Sequence, residues 1–483
     1  MPKQVSSLEL SLEGRHDGQT LSAWLYSGLC RSILDGRLRP GTRLPATRDL
    51  AQQYGVSRGI VVEVFEQLQA NGYVSCRVGA GTWVNDRLPE RAPHEARRRA
   101  RLAKVLPEPL VGLRFRVPAR PFRMNEPALA QFPAKVWARV ANRRLRRFSS
   151  WLEVRENVRG YRPLCEAIAE YLGSSRGVKC AADQIAIVSG VQQGLDLLAR
   201  CLLKPGDPVW LEDPGYFGAT IAFRNSAAKI IPVPVDQEGI SIEAGRRLYG
   251  PAKAAYVTPG RQFPLGMTMS LERRLALIAW ARETGAYVIE DDYDSEFRFE
   301  GRPVPAMQGL DDGRNVVFVG SFNKLLFPSL RLGYVVLPPD LVDPFLALRY
   351  GTDLRAVGVD QAILCDFIEE GHLGRHIRRM RELYAGRLAA LLAAAERRLK
   401  GLIEIPNIRA GLYTVAYLRN GMSSRQAETI LLQRGMETMG LHRFALRQPD
   451  LRGLMLGFAA FDEHAIRRGV DLMAASLGNH AGR

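Results

Sequence analysis

Gly320-Ser321-Phe322-Asn323-Lys324, continued by Pro328 and Arg331-Leu332-Gly333-Tyr334, directly follows the apolar run Val316-Val317-Phe318-Val319. Such a run, closed by Gly-Ser, reads as a buried strand whose carboxyl end opens into a loop. The same alternation recurs upstream. Gln184 to Val188 leads into a helix through Leu195 and Leu198, Val209 to Leu211 leads into a helix near Ala219, and Ala254 to Val257 precedes a helix from Leu271 to Thr284. Ala286 to Ile289 supplies a further strand before Val316. Short strands alternating with longer amphipathic helices imply an α/β domain with a largely parallel sheet. Ligands of such sheets gather at the carboxyl ends of the strands, which is where the serine, lysine and arginine of the opening stretch stand.

Three more motifs fall at strand ends. Ser189-Gly190-Val191-Gln192-Gln193-Gly194 closes a strand and opens a helix, so its backbone N–H groups suit a phosphate, although glycine also suits any tight strand-to-helix turn. Glu212-Asp213-Pro214-Gly215-Tyr216 sets an aromatic ring where it can stack on a planar ligand or simply pack a loop. Glu290-Asp291-Asp292-Tyr293-Asp294 gathers like charges that repel, which points to a specific purpose, with a metal site or helix-capping acids as the alternatives. Lys324 selects among these readings. A lysine for an aldehyde, Ser321 and Arg331 for a phosphate, an aromatic stacking ring and a carboxylate for a pyridinium nitrogen are the parts that pyridoxal 5'-phosphate requires. All stand here in sequence order.

The chain has 483 residues, enough for two to four domains, and is 46% hydrophobic and 24% charged, which excludes general disorder and a membrane bundle. Its 67 Lys and Arg outnumber 50 Asp and Glu, a formal +17 that makes nucleic acid the first partner to consider. The excess is uneven. Residues 1–87 hold ten basic against eight acidic residues, while 88–123 hold ten against three, together with several prolines and the run Arg97-Arg98-Arg99-Ala100-Arg101. We therefore divide the chain into a first domain at 17–87, a basic linker at 88–123 and a large domain at 124–483, itself parted near residue 376. Six scattered cysteines without a C-x-x-C pair read as reduced thiols, and the longest apolar run, Leu388 to Ala395, is far too short to span a bilayer. These features place the protein in the cytoplasm.

In the first domain, Leu21, Leu25, Leu29 and Ile33 repeat at helical spacing up to Gly36. A second helix starts near Thr47 as a possible N-cap and ends at Gly55; Ser57 caps a third with Ile60, Val61, Val64, Phe65 and Leu68 inward. Tyr73 to Val78 and Thr82-Trp83-Val84 flank a glycine turn and read as a hairpin, completing a winged helix. Ser57 and Arg58 at the start of the third helix and Arg48 at the start of the second are the candidate DNA contacts; a protein-interaction module is the alternative. The runs from Ile33 to Arg58, Val64 to Tyr73 and Gly79 to Val84 resemble the GntR-type winged-helix DNA-binding domain over 19–86. Ile60 departs from it, standing where the family usually has a threonine.

The large domain resembles fold-type I aminotransferases, and the whole chain from 19 to about 475 is similar to MocR-type regulators, in which the two are fused. Matching stretches include Met269 to Leu277, Asp291 to Arg298 and Glu370 to Arg381. The resemblance implies Lys324 as the Schiff-base lysine, Asp291 as partner of the pyridinium nitrogen, Tyr293 as donor to the ring hydroxyl and Tyr216 as stacking ring. It also implies phosphate contacts from Gly190, Val191, Gln192, Ser321 and Arg331. Arg452, with Arg443 as alternative, is the candidate for an effector carboxylate. His372 and His376 lack an H-E-x-x-H context, so no metal is expected.

Departures from the family pattern are Arg261 in Thr258-Pro-Gly-Arg-Gln-Phe-Pro264 where a histidine is usual, Arg155 to Gly160 in place of Y-G-D-P-x-G, Cys165 after Leu164, Asn323 before the lysine and Tyr413 where a histidine is common. The resemblance implies a homodimeric regulator that binds a double-stranded operator and senses an amine or amino acid, or the cofactor itself. The alternative is a working aminotransferase that carries a DNA-binding domain.

Overall fold

The computed structural model describes residues 19–77, 81–86, 120–146, 158–301, 304–353, 358–419, 421–447 and 451–478. Of the expected linker at 88–123, residues 88–119 lie outside them, as do the tip of the hairpin at 78–80 and Arg155, while Phe122 is buried in the core of the second unit. The chain forms two compact units, 1–106 and 107–483.

The first unit holds α1 (Leu21–Leu34), α2 (Thr47–Tyr54), α3 (Arg58–Ala70) and the antiparallel strands β1 (Val74–Arg77) and β2 (Gly81–Val84). Thr20 caps α1 by accepting from Ala23 N–H, and Leu25, Leu29 and Ile33 face the core while Leu21 stays exposed. Thr47 is not the cap of α2. It is the first helical residue, and Ala46 at the cap position offers no side-chain acceptor. Ser57 does cap α3, accepting from Ile60 N–H at 3.4 Å. Gly55, left-handed at φ +63°, ends α2 and lets the chain turn at once into α3. Leu50, Val56, Val61, Val64, Phe65 and Leu68 meet the α1 face and Val74 and Val84 in one core.

The second unit is built on an eight-stranded mixed sheet in the order β3-β10-β9-β8-β7-β4-β5-β6. The strands are β3 (Ile185–Val188), β4 (Pro208–Asp213), β5 (Lys229–Asp236), β6 (Gly239–Ile240), β7 (Ala254–Val257), β8 (Tyr287–Asp292), β9 (Val316–Ser321) and β10 (Gly333–Val336). β5, β4, β7, β8 and β9 run parallel, as the βα alternation predicts. β10 is antiparallel to both β9 and β3 and lies between them. Because it runs against its neighbours, its start at Gly333 lies level with the ends of β9 and β3, opposite Ser321 and Val188. Apolar cores cover both faces of the sheet; on one, Trp210 and Trp280 stack at 4.3 Å.

A smaller antiparallel sheet, β11 (Ile403–Glu404), β12 (Tyr413–Leu418), β14 (Gly453–Gly457) and β13 (Met439–Gly440), forms the C-terminal part. The 27-residue helix His372–Arg398 leads into it. His376 on this helix is buried with Nε2 3.0 Å from the Leu325 carbonyl, a structural placement. No helix among the described residues is long and apolar enough to cross a membrane.

Candidate functional site

Five strand ends and the start of β10 converge on a cavity of about 240 Å³. Gly190, Val191 and Gln192 after β3, Tyr216 after β4, Asp291 and Tyr293 at β8, Ser321 and Lys324 at β9, and Arg331 before β10 all line it. Nine positions spread over 142 residues of sequence meet in one place.

One end of the cavity suits an anion. Gly190, at φ +91°, turns β3 into the helix Val191–Leu202, whose first N–H groups have no intrahelical acceptor. A Cβ on Gly333 would stand 3.1 Å from Gly190 Cα, so the glycine lets β10 approach that turn. Arg331 reaches the same end from a left-handed backbone at φ +54°. Asn323, noted in the sequence only as a departure, ties these pieces together: its N–H donates to Ser321 Oγ at 3.2 Å and its Oδ1 accepts from Leu332 N–H at 3.2 Å. Gln192 offers its backbone rather than its side chain, as the motif reading has it. Its side-chain amide donates to Gly218 O at 2.9 Å, leaving its backbone for an anion.

Further along the cavity lies a place for a flat ring. Tyr216 packs edge-on against Phe263 at 5.6 Å, and Gly218 makes room for the Tyr216 ring, since a Cβ there would lie 2.4 Å from it. Asp291 accepts from Tyr256 Oη at 2.6 Å through Oδ2, while its buried Oδ1 has no hydrogen-bond partner. Burial pushes its pKa up to about 6, against the Tyr256 hydrogen bond and the nearby Lys324 charge, which favour the anion. Tyr293 Oη lies 2.8 Å from Tyr413 Oη, and Lys324 Nζ sits 4.0 Å from the centre of the Tyr293 ring. Lys324 is lowered to about 8, first by burial and also by the Arg261 charge, although Asp294 and Asp291 support its cation.

The acidic run resolves into four separate duties. Glu290 accepts from Met307 and Gln308 N–H at the start of the short helix Met307–Leu310, so helix capping, one of the alternatives, holds for that residue. Asp292 pairs with buried Arg176 at 2.7 Å and Asp294 with buried Arg261 at 3.1 Å. Only Asp291 and Tyr293 of the run line the cavity. Like charges coexist here because each faces a different partner.

Arg452 requires a correction. It is exposed just before β14 and does not line this cavity, because the strand it introduces starts at the far end from Gly457 and Tyr413, which pair near the site. Arg443 is held by Glu428 at 2.7 Å and lines a different cavity. Arg331 is the arginine that lines the cavity, and Arg261 lies behind it, against Tyr413: its Nη2 donates to Tyr413 O at 2.7 Å, and its guanidinium lies 4.0 Å from the Tyr413 ring centre. Gly411, at φ +104°, leaves room for it. Tyr256 and Asn125 were not anticipated as site residues. A tyrosine in a strand buried on both faces needs a partner for its hydroxyl, which was the available signal for Tyr256; Asn125 carried none.

Two family models match the chain: "Bacterial regulatory proteins, gntR family" over residues 21–84, and "Aminotransferase class I and II" over residues 122–469. The probable rhizopine catabolism regulatory protein MocR of Rhizobium meliloti is 38% identical over 94% of this chain and 93% of its own. This chain belongs to the MocR-type transcriptional regulators. The pyridoxine biosynthesis regulator PdxR of Corynebacterium glutamicum is 29% identical over 94% of this MocR-type chain and 95% of its own. Among solved structures, the α-aminoadipate aminotransferase LysN of Thermus thermophilus, complexed with N-(5'-phosphopyridoxyl)-L-leucine, matches with a TM-score of 0.68 at 27% identity, covering 74% of this chain and 92% of that one. The second unit thus has the fold-type I aminotransferase fold.

The residues present fit pyridoxal 5'-phosphate. The unpartnered buried oxygen of Asp291 awaits a proton donor, the glycine-flanked turn at Gly190 admits a phosphate, and Lys324 has a depressed pKa at the cavity wall.

Proposed function

We propose that this MocR-type regulator holds pyridoxal 5'-phosphate in the strand-end cavity and uses it to sense a primary amine, altering operator binding by the winged helix. The observation that carries the reading is the convergence of Lys324, Asp291 and the Gly190–Ser321–Arg331 cradle on one cavity. The bound cofactor supplies an aldehyde for an amine and a ring that draws electrons from it. The protein does the rest. The Gly190 turn, Ser321 and Arg331 would hold the phosphate, Tyr216 would pack against the ring, and Asp291, through its unpartnered Oδ1, would hold the ring nitrogen. Tyr293, held by Tyr413, presents its hydroxyl to the ring. Lys324, with its pKa lowered to about 8, would offer a neutral amine at the cavity wall near that pH. A change in the charge or position of Lys324 on effector binding would alter the electrostatics of the domain core, so that an effector favouring one arrangement would shift DNA affinity.

We place the regulator in the cytoplasm as a homodimer on paired half-sites, consistent with dimeric symmetry. The test is to titrate purified protein with a panel of amines and amino acids while following the visible absorption band and operator affinity together. An amine that shifts both supports the reading. Steady release of a keto acid with operator affinity unmoved would assign the chain to catalysis instead.

Asp291→Asn separates the stability of the site from its use. An acid whose folded pKa lies above its unfolded value takes up a proton on folding, so Asp291 lowers stability as pH rises from 3.8 to about 6. The asparagine variant, free of cofactor, is expected to be more stable at pH 7 by on the order of 1–3 kcal/mol. Its cofactor affinity is expected to fall roughly tenfold or more through loss of a charged hydrogen bond. Urea midpoints at pH 4 and 7 and a cofactor titration check both parts.

The DNA-binding residues divide in the same way. Arg48 and Arg58 are exposed at the starts of α2 and α3. Arg48→Ala is expected to weaken binding to all sequences and reduce the slope of log affinity against log salt by about 1 per contact. Arg58→Ala at the head of the recognition helix is expected to cost roughly 1–3 kcal/mol and relax base preference. Mobility shifts at several salt concentrations, with specific and scrambled duplexes, distinguish the two.

A further inference from the structure

Asn125 lines the strand-end cavity with its side-chain amide unused. Its Oδ1 is buried without a hydrogen-bond partner, and its Nδ2 donates to no acceptor among the described residues. Three neighbours in the same lining are engaged instead. Tyr256 donates to Asp291 at 2.6 Å, Thr258 donates to Glu212 at 2.7 Å and accepts from Phe263 N–H at 2.9 Å, and Tyr293 Oη lies 2.8 Å from Tyr413 Oη.

The backbone at Asn125 is left-handed at φ +61°, a region that asparagine enters more readily than most residues with a side chain. The chain on either side is fastened. Gly457 N–H donates to Phe122 O at 2.9 Å, Glu437 N–H to Pro121 O at 3.0 Å, and Ala128 N–H to Tyr384 Oη at 3.0 Å. Glycine at 457 permits this docking, since a Cβ there would lie 2.7 Å from Met124 Cα. Met124 packs with Phe263, Tyr293 and Tyr413, so the segment brings Asn125 to the cavity from the side of Tyr293, the ring whose centre Lys324 Nζ faces at 4.0 Å.

An amide with both ends open defines its partner. Oδ1 needs a donor and Nδ2 an acceptor. A hydroxyl supplies both, whereas a carboxylate supplies acceptors only and would set its charge against Oδ1. Arg261, the cation behind the Tyr413 wall, is already committed to Asp294 at 3.1 Å.

We propose that Asn125 selects the effector, and that the amine it selects carries a neighbouring hydroxyl group, which donates to Oδ1 and accepts from Nδ2. The inference rests on the amine-sensing reading above and names its ligand class: a hydroxylated primary amine, in preference to a plain alkylamine or an amino acid.

The test is a titration of the full-length protein, loaded with pyridoxal 5'-phosphate and followed by its visible band. 2-Aminoethanol is compared with ethylamine and 3-amino-1,2-propanediol with propylamine, while free glycine and L-alanine form the carboxylate arm. Each is measured on wild type and on Asn125→Gly, which accepts the left-handed backbone and removes the amide. The quantity compared is the ratio of affinities, hydroxylated over plain amine, because differences in amine basicity cancel between the two proteins. That ratio is expected to be at least roughly tenfold higher in wild type. Thermal unfolding reports whether the Asn125→Gly protein is intact; Asn125→Asp, which keeps an acceptor and lacks the donor, is expected to give an intermediate ratio and serves if it is not. An equal ratio in wild type and Asn125→Gly overturns the proposal while leaving amine sensing in place. So does an Asn125-dependent response to free glycine and L-alanine that exceeds the response to the hydroxylated amines. A band that no amine moves overturns both.

Discussion

The Lys324→Ala protein is expected to lack, after incubation with pyridoxal 5'-phosphate, the Schiff-base absorption band that wild type gains, and its operator affinity is expected to ignore every amine that moves the wild type. The effect is complete because no other described lysine lines the cavity. Alanine removes the amine that sits 4.0 Å from the Tyr293 ring centre and leaves the phosphate cradle untouched, so noncovalent cofactor binding should survive in weakened form. Absorption spectra before and after gel filtration separate covalent from noncovalent retention. Operator binding itself should persist, since α2 and α3 have their own core. A Lys324→Ala protein that shows the Schiff-base band and responds to amines as wild type does would sink the assignment of this residue.

The second large effect is structural. Arg261→Ala is expected to destabilise the second unit by about 3–5 kcal/mol, the range found when one member of a buried ion pair is removed and the other is left charged in the interior. Arg261 and Asp294 are both almost fully buried, at 2% and 1% side-chain exposure. Arg261 also binds the Tyr413 carbonyl and stacks on its ring, so its loss releases the tyrosine that holds Tyr293. Asp294→Asn alone should be costly by the same reasoning, whereas the double variant Arg261→Leu/Asp294→Leu should recover most of the loss because no unpaired charge remains. Urea denaturation of the four proteins, followed by tryptophan fluorescence, compares the broken pair with the replaced one. A spectroscopic consequence accompanies it. Arg261 helps depress the Lys324 pKa and Asp294 opposes it, so Arg261→Ala should raise that pKa and move the pH dependence of cofactor attachment upward, which mere loosening of the fold does not predict.

Local signals in the sequence explain how much of this site could be read in advance. Each cavity residue on a strand end, Gly190, Tyr216, Asp291, Tyr293, Ser321 and Lys324, follows an apolar run that could only be a buried strand, and the parallel α/β pattern brings such ends to one edge. The winged helix was equally legible from helical spacing, Gly55 and the Ser57 cap. Arg452 misled because its position was judged by distance along the chain from Gly457, whereas in an extended strand five residues span about 16 Å and carry its side chain away from the cavity. Arg261 was visible only as an unusual residue: its partners Asp294 and Tyr413 lie 33 and 152 positions away, and nothing local announces either contact.

By itself, then, the sequence determined the two-part architecture, the strand-helix alternation and the residue types that meet pyridoxal 5'-phosphate, because these depend on periodicity and on chemistry carried within short motifs. Tertiary structure alone decided that β10 runs antiparallel between β9 and β3. That insertion sets Arg331 beside Ser321 and Gly190, and it depends on register between strands some 145 residues apart, Val188 facing Gly333. It likewise decided which acid of the run at 290–294 faces the cavity. Side chains on one strand alternate between faces, and only the partners packed on each face, Tyr256 on one and Arg176 on the other, fix which carboxylate is left with a free oxygen at the cavity.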